Sequence, residues 1–169
     1  MYQHWENAVK LFSLLAYMVK EADPDGLDLY FTISTIGSED HIKKRHTSDL
    51  VEAALGRRCE EMSDITIQLG HVLHKYQTKL RKHADASRLK FGQTQPVPAM
   101  TVYIFTDGLW KPDCDPTRLI LELVETLDRT IWAGGRQLGV QFIQFGHDPW
   151  VTDKLDKLDN LKKTYPLKR

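Results

Sequence analysis

Apolar residues follow two spacings along this chain, and each spacing predicts a different kind of element. They recur every three or four positions in five stretches, which predicts amphipathic helices at about 4–21, 47–56, 63–83, 116–131 and 149–161. Shorter apolar runs predict strands at about 27–33, 102–106 and 138–146. Turns and loops are expected at the Pro, Gly and polar stretches between them, at 23–26, 34–45, 84–98 and 134–135. Strands alternating with helices predict an α/β sheet with right-handed crossovers.

One of the predicted strands is followed directly by an aspartate, and this strand end is the leading candidate for a functional site. The apolar run from Val102 stops at Thr106-Asp107-Gly108. Ligands of open α/β sheets bind just beyond the carboxyl ends of the strands, so Asp107 is the first candidate site residue. The alternative is structural, because Asp-Gly is also a common turn after a strand.

Composition limits the classes of function that the chain can serve. Its 169 residues suit one domain, and 23 basic residues balance 23 acidic ones, which argues against a nucleic-acid-binding surface. The cysteines, Cys59 and Cys114, lie too far apart for a zinc motif and favour a reducing compartment. No apolar run approaches the length of a membrane span. We therefore expect a soluble, cytoplasmic protein without a membrane partner.

Four motifs, in order along the chain, resemble those of von Willebrand factor A (vWA) domains of the fungal type. They lie at 23–31, 69–76, 104–108 and 138–146, the last with its following helix at 155–159. The resemblance covers most of the chain. It implies that residues 1–169 form one vWA-like domain, with a Rossmann-like, mostly parallel sheet in a three-layer α/β/α arrangement.

The same resemblance implies a metal-ion-dependent adhesion site that is incomplete. Asp107 matches the aspartate of the family's Thr-Asp-Gly motif, Ser63 falls at the second-loop position, and Thr66 is its near neighbour. The family's Asp-x-Ser-x-Ser strand and loop, expected before the first helix, are not found ahead of His4. Compared with the family, the domain is then truncated at its N-terminus. Because Mg²⁺ needs several oxygen ligands, we expect its binding here to be weak or lost.

These expectations favour a non-enzymatic module that binds another protein, or a second copy of itself, at the sheet end near Asp107. Trp110, His147, Asp148 and Trp150 are the candidate partner contacts, because aromatic residues with a polar handle are common binding anchors. The tryptophans could instead cover the core, and Asp148 could cap a helix. Two other functions stay open. One is an enzyme or accessory subunit using Asp107 and His147; the other is a structural homo-oligomer that fills the gap of the missing strand.

Overall fold

The computed structural model describes residues 2–22, 27–32, 41–44, 47–55, 62–89, 96–130 and 138–165, and within them the chain is an α/β protein. Its helices are a 3₁₀ turn at Tyr2–His4, then α1 Trp5–Ala22, α2 Thr47–Leu55, α3 Ile65–Leu89, α4 Thr117–Thr130, α5 Pro149–Asp159 and α6 Leu161–Thr164. Its strands are β1 Leu27–Tyr30, β2 His41–Lys44, β3 Met100–Thr106 and β4 Leu138–Gln144.

The strands form two pairs of different kinds. β3 and β4 run parallel over their full length, with Met100 opposite Leu138 and Thr106 opposite Gln144. β1 and β2 are antiparallel, with Leu27 opposite Lys44. Two-residue hairpin turns cannot join parallel strands, and α4 accordingly lies between β3 and β4 in the chain. The prediction of helix–strand alternation is confirmed for this half of the molecule.

Two predicted loops are corrected by the structure. β2 lies inside the polar stretch expected to be a loop at 34–45. The sequence did not predict this strand, because His-Ile-Lys-Lys contains no apolar run. α3 continues to Leu89, six residues beyond its predicted end, through a segment whose alanines favour helix although its apolar period has stopped. The predicted turns at 23–26 and 134–135, residues 34–40, 45 and 90–95 of the predicted loops, and residues 33, 56 and 131 of other predicted elements lie outside the described residues.

The main core lies where α3, α4 and α5 meet one face of the β3–β4 pair. The residues that α3 contributes recur at helical spacing, which confirms that this helix is amphipathic. They are Ile65, Leu69, Leu73, Tyr76 and Leu80. α4 contributes Leu123, and α5 contributes Val151, Leu155 and Leu158. Burying one such side chain stabilises the fold by about 1.5–3 kcal/mol. Val72 of α3 is half-buried.

The two faces of β3 meet different helices. Met100, Val102 and Ile104 pack against the main core. Phe105, at the alternate position, places its ring 6.1 Å from that of Phe12 in α1, at 84° between the planes. Because successive side chains of a strand point to opposite faces, α1 and α3 lie on opposite sides of β3.

Helix length alone does not make any of these helices a membrane span. α3 has 25 residues, which is long enough to cross a bilayer, but charged side chains interrupt it along its length. None of the helices in the described part of the chain is both long and apolar enough to cross a membrane.

Gly108 is the position where the backbone most needs a glycine. Its φ is +72°, and a Cβ there would overlap the Cγ1 atom of Val151, which is fully buried in α5. Positive φ and this close approach both exclude a larger side chain, so the Asp107-Gly108 turn is held against the first turn of α5.

We expect Gly108→Ala to destabilise the protein by about 2–4 kcal/mol, because it combines backbone strain with overpacking. Gly70→Ala is the matched control: a Cβ there would lie 3.5 Å from a Leu119 methyl, an ordinary contact. Since Gly70 lies within α3, alanine should stabilise the protein by up to about 1 kcal/mol. Urea denaturation measures both changes. Equal stabilities for the two variants would contradict this account of the turn.

Candidate functional site

A buried hydroxyl organises the loop that follows β3. The Thr106 side chain, only 5% exposed, accepts hydrogen bonds at Oγ1 from the Gly108 N–H at 2.9 Å and from the Trp110 Nε1–H at 2.8 Å. The Phe145 N–H donates to the Thr106 carbonyl at 2.8 Å, which ties the end of β4 to the same point. The loops at the carboxyl ends of the two strands are therefore joined through one residue.

Trp110 belongs to the core, and the expectation that it contacts a partner is corrected. Its side chain is 3% exposed and its ring centroid lies 6.0 Å from that of Phe142. The Lys154 ammonium lies 4.1 Å from the Trp110 ring centroid and closes the ring from solvent. The apolar neighbours and the bond to Thr106 explain this burial, because a buried indole needs a partner for its N–H. For Trp110, the structure agrees with the alternative prediction that the tryptophan packs on the core.

Trp150, the second predicted aromatic contact, lies on the surface. It is 62% exposed at the start of α5, and the Lys154 ammonium lies 5.1 Å from its ring centroid. Lys154 is thus shared by a buried and an exposed indole. Partial burial lowers the pKa of Lys154, and the negative charge of Asp115 partly opposes that effect. Trp150 remains available to a partner.

Ser63 and Thr66, the two predicted hydroxyl ligands, have different surroundings. The Lys111 N–H donates to the Ser63 carbonyl at 3.2 Å, and Ser63 forms an isolated parallel bridge with Trp110. The structure therefore brings the Ser63 backbone to the loop after Asp107. The Thr66 hydroxyl instead donates to Asp64 Oδ1 at 2.6 Å. That bond turns the Thr66 side chain toward the start of its own helix.

The contacts of the Asp64 carboxylate stabilise the start of α3 and do not mark a catalytic group. Its Oδ1 also accepts the Thr66 N–H at 3.0 Å, as expected for a residue that caps the start of α3. Hydrogen bonds from the Cys114 thiol and from Thr66, together with the charge of Lys111, hold the pKa of Asp64 below its usual value. Burial, and then the hydrogen bond and charge of Asp64, raise the pKa of Cys114. Cys114 is 4% exposed and serves as a protonated donor, a role that the sequence spacing did not signal.

Asp107 is half-buried and forms a local turn. Its Oδ1 accepts the Leu109 N–H at 3.2 Å. Nearby Leu109 is 49% exposed, although no apolar pattern marked it in the sequence. Among the residues that the structure describes, no group of three or more His, Cys, Asp or Glu side chains is arranged to hold a metal ion.

His147 and Asp148 connect β4 to α5. His147 is exposed. Asp148 Oδ1 accepts the N–H groups of Trp150 at 2.9 Å and Val151 at 3.3 Å and so caps α5, the alternative that the sequence left open. Because Gly108 lies against Val151, the loop bearing Asp107 and Leu109 adjoins the turn bearing His147 and Trp150. We name these four residues the carboxyl-edge surface.

Comparisons with known proteins do not place this chain in a family. No protein-family model, curated protein sequence or solved structure matches the chain.

The lowered pKa of Asp64 has a consequence for stability. A carboxylate whose pKa falls on folding contributes stability above its unfolded pKa, near 4, and loses that contribution as the pH drops through the folded value. Asp64→Asn keeps a good capping residue but removes the charge. We expect it to lower the free energy of unfolding at pH 7 by up to about 1 kcal/mol, because solvent screens part of the charge-assisted bonds.

In thermal unfolding at a series of pH values, the difference between wild type and Asp64→Asn should shrink as the pH falls below 4. Asp113→Asn is the control, because Asp113 is an exposed aspartate next to Cys114, in the loop between β3 and α4. A difference that is constant from pH 7 to pH 2 would show that the ionised carboxylate does not supply the stabilisation.

Proposed function

We propose that this chain is a non-enzymatic protein-binding module of the vWA type, and that the carboxyl-edge surface is where it binds. One observation carries the proposal: Leu109 and Trp150, both exposed and apolar, lie on adjoining turns that hydrogen bonds from the Gly108 and Trp150 N–H groups hold in place. Exposed aromatic and aliphatic side chains on preorganised turns lose little entropy when a partner covers them. Such residues commonly dominate binding energy.

Three features support the vWA part of the proposal. Thr106-Asp107-Gly108 follows the carboxyl end of a parallel strand, as the resemblance requires. Helices α1 and α3 lie on opposite sides of β3, which is how a three-layer α/β/α domain is built. The Ser63 backbone pairs with the loop after Asp107, so the proposed second metal loop adjoins the loop that follows the Thr-Asp-Gly motif. We propose a three-layer sheet that lacks the family's usual first strand.

The metal site of this module is, in our proposal, weak or lost. Mg²⁺ demands near-octahedral oxygen coordination, which side chains, waters and ligand groups share. Asp107 offers the one matching carboxylate, and it already accepts the Leu109 N–H. The Thr66 hydroxyl already donates its hydrogen bond to Asp64. Water or an acidic residue of the partner would have to supply most of the coordination shell.

The observed contacts favour binding over catalysis. The enzyme alternative needs acid–base groups that are free to exchange protons with a substrate. Asp148 is committed to capping α5. Cys114 is buried, and its pKa is raised, which makes it a poor nucleophile. Its environment therefore suits a structural thiol.

An affinity measurement with matched variants tests the proposal. The immobilised wild-type chain is used to capture a partner from an extract, and the partner is then titrated with purified variants. Trp150→Ala and Leu109→Ser should each weaken binding at least about tenfold, because truncating a hot-spot side chain commonly costs 2 kcal/mol or more. Tyr165→Ala is the control: Tyr165 is 48% exposed but follows α6, away from the carboxyl edge.

The same titration is repeated with EDTA in excess over divalent ions. A module with a weak or lost metal site should keep its affinity. Unchanged binding by Trp150→Ala and Leu109→Ser, with loss in Tyr165→Ala, would place the binding surface elsewhere. Loss of binding in EDTA would show that a metal is essential and would contradict the weak-site part of the proposal.

A further inference from the structure

A cleft of about 530 Å³ lies between β1 and β3, away from the carboxyl-edge surface. Its side walls are β1 with its following residues, and β3 from Met100 to Phe105. Its other walls come from α1 and α3, which face each other across the cleft. A space enclosed by two strands at its sides and by a helix on each face has the layout of a missing interior strand of an α/β sheet.

The edge of β3 that borders this cleft has no neighbouring strand in the described part of the chain. Among the described strands, β3 pairs with β4 alone, and β1 pairs with β2 alone. An unpaired strand edge presents a row of backbone donors and acceptors that another strand can complete. β3 is seven residues long, and its length limits the length of the strand that could pair with this edge.

The helical walls of the cleft are mainly apolar. α1 contributes a stripe with the spacing of a buried helix face, and it includes Ala8, Val9 and Phe12. α3 contributes Gln68 and Val72 from its opposite wall, followed by Lys75 and Lys79. The main core does not include the buried α1 residues Ala8, Val9 and Ala16, so the cleft separates two apolar clusters. An apolar strand in the cleft would join them.

Trp5, in the wall of the cleft, provides a second and independent observation in favour of a bound ligand. It lines the cleft, and its Nε1 atom is buried without a hydrogen-bond partner among the described residues. A buried N–H without an acceptor costs about 1–3 kcal/mol. Each residue of an inserted strand brings a carbonyl that can accept such a bond.

Charge distinguishes one end of the cleft from the other. The Tyr76 hydroxyl donates to the Pro98 carbonyl at 2.9 Å, so this part of α3 lies beside the start of β3. Lys75 and Lys79, both exposed, line the cleft there, and Asp28 on the β1 side is the one acidic side chain among the described residues of the lining. The lining therefore carries an excess of positive charge, which an acidic residue on the occupant would complement.

We propose that this cleft receives an extended apolar strand from a partner polypeptide, which pairs with β3 and carries acidic residues at the end beside Lys75 and Lys79. Main-chain hydrogen bonds to β3 would supply affinity, and the helical walls would select apolar side chains at successive positions. The inserted strand would turn two separate strand pairs into one sheet. This inference concerns a different surface from the carboxyl edge and stands or falls separately.

The probe is a synthetic peptide with a central run of valine and isoleucine, matched in length to β3, and an aspartate pair at each end. Its fluorescent form should bind the wild-type chain, and hydrogen exchange should show new protection at β3 amides. A second peptide replaces the aspartates with serines. A third places proline in the central run, which keeps its apolar character but blocks strand pairing.

Three variants test the walls. Lys75→Glu combined with Lys79→Glu should weaken the aspartate peptide about tenfold and leave the serine peptide unchanged, because only the former loses ion pairs and gains repulsion. Lys82→Glu, an exposed lysine of α3 outside the lining, is the control. Trp5→Phe should weaken binding about threefold to tenfold without lowering the stability of the free protein, since it removes an unpaired donor.

Several results would overturn the proposal. One is equal binding of the proline and aspartate peptides, and another is binding without protection of β3. Failure of the aspartate peptide to bind at its highest soluble concentration would also reject it. A stable dimer by light scattering, with β3 already protected and no response to the peptide, would assign the cleft to a second copy of the chain instead.

Discussion

The carboxyl edge of this protein depends on the buried hydroxyl of Thr106. It accepts two N–H groups, one from the backbone of Gly108 and one from the indole of Trp110, and both bonds lie inside the core. Leaving either donor unpaired would cost about 1–3 kcal/mol, so the loop has no inexpensive alternative conformation. The positive φ of Gly108, its approach to Val151 and the insertion of Trp110 all follow from this one constraint.

A shared local geometry explains why the acidic residues of this edge resemble catalytic or metal-binding groups. Asp64, Asp107, Asp115 and Asp148 each accept the backbone N–H of the residue two positions ahead. This is the aspartate turn that starts helices and ends strands. Structural carboxylates therefore gather at the edge where ligands of α/β sheets bind. The exposed side chains between them, Leu109 and Trp150, are left to provide recognition.

The sequence predicted elements better than it predicted contacts. Helical spacing located the buried face of α3, and apolar runs located β3 and β4, because periodicity reports directly on burial. β2 could not be predicted, since its His-Ile-Lys-Lys sequence carries no apolar alternation. The burial of Trp110 depends on a hydroxyl four residues earlier and on Phe142, and a loop sequence does not record such contacts. The bond from Cys114 to Asp64 joins residues 50 positions apart and was equally hidden.

Hydrogen exchange at the Trp110 indole N–H tests the central claim most directly, measured by NMR in the presence of EDTA. If the Thr106 hydroxyl organises the edge without a metal, this proton and the Gly108 amide should exchange only through global unfolding. Thr106→Val should make both exchange rapidly, and Thr106→Ser should preserve much of the protection. Rapid exchange in the wild type, with protection that appears only after Mg²⁺ is added, would contradict the account.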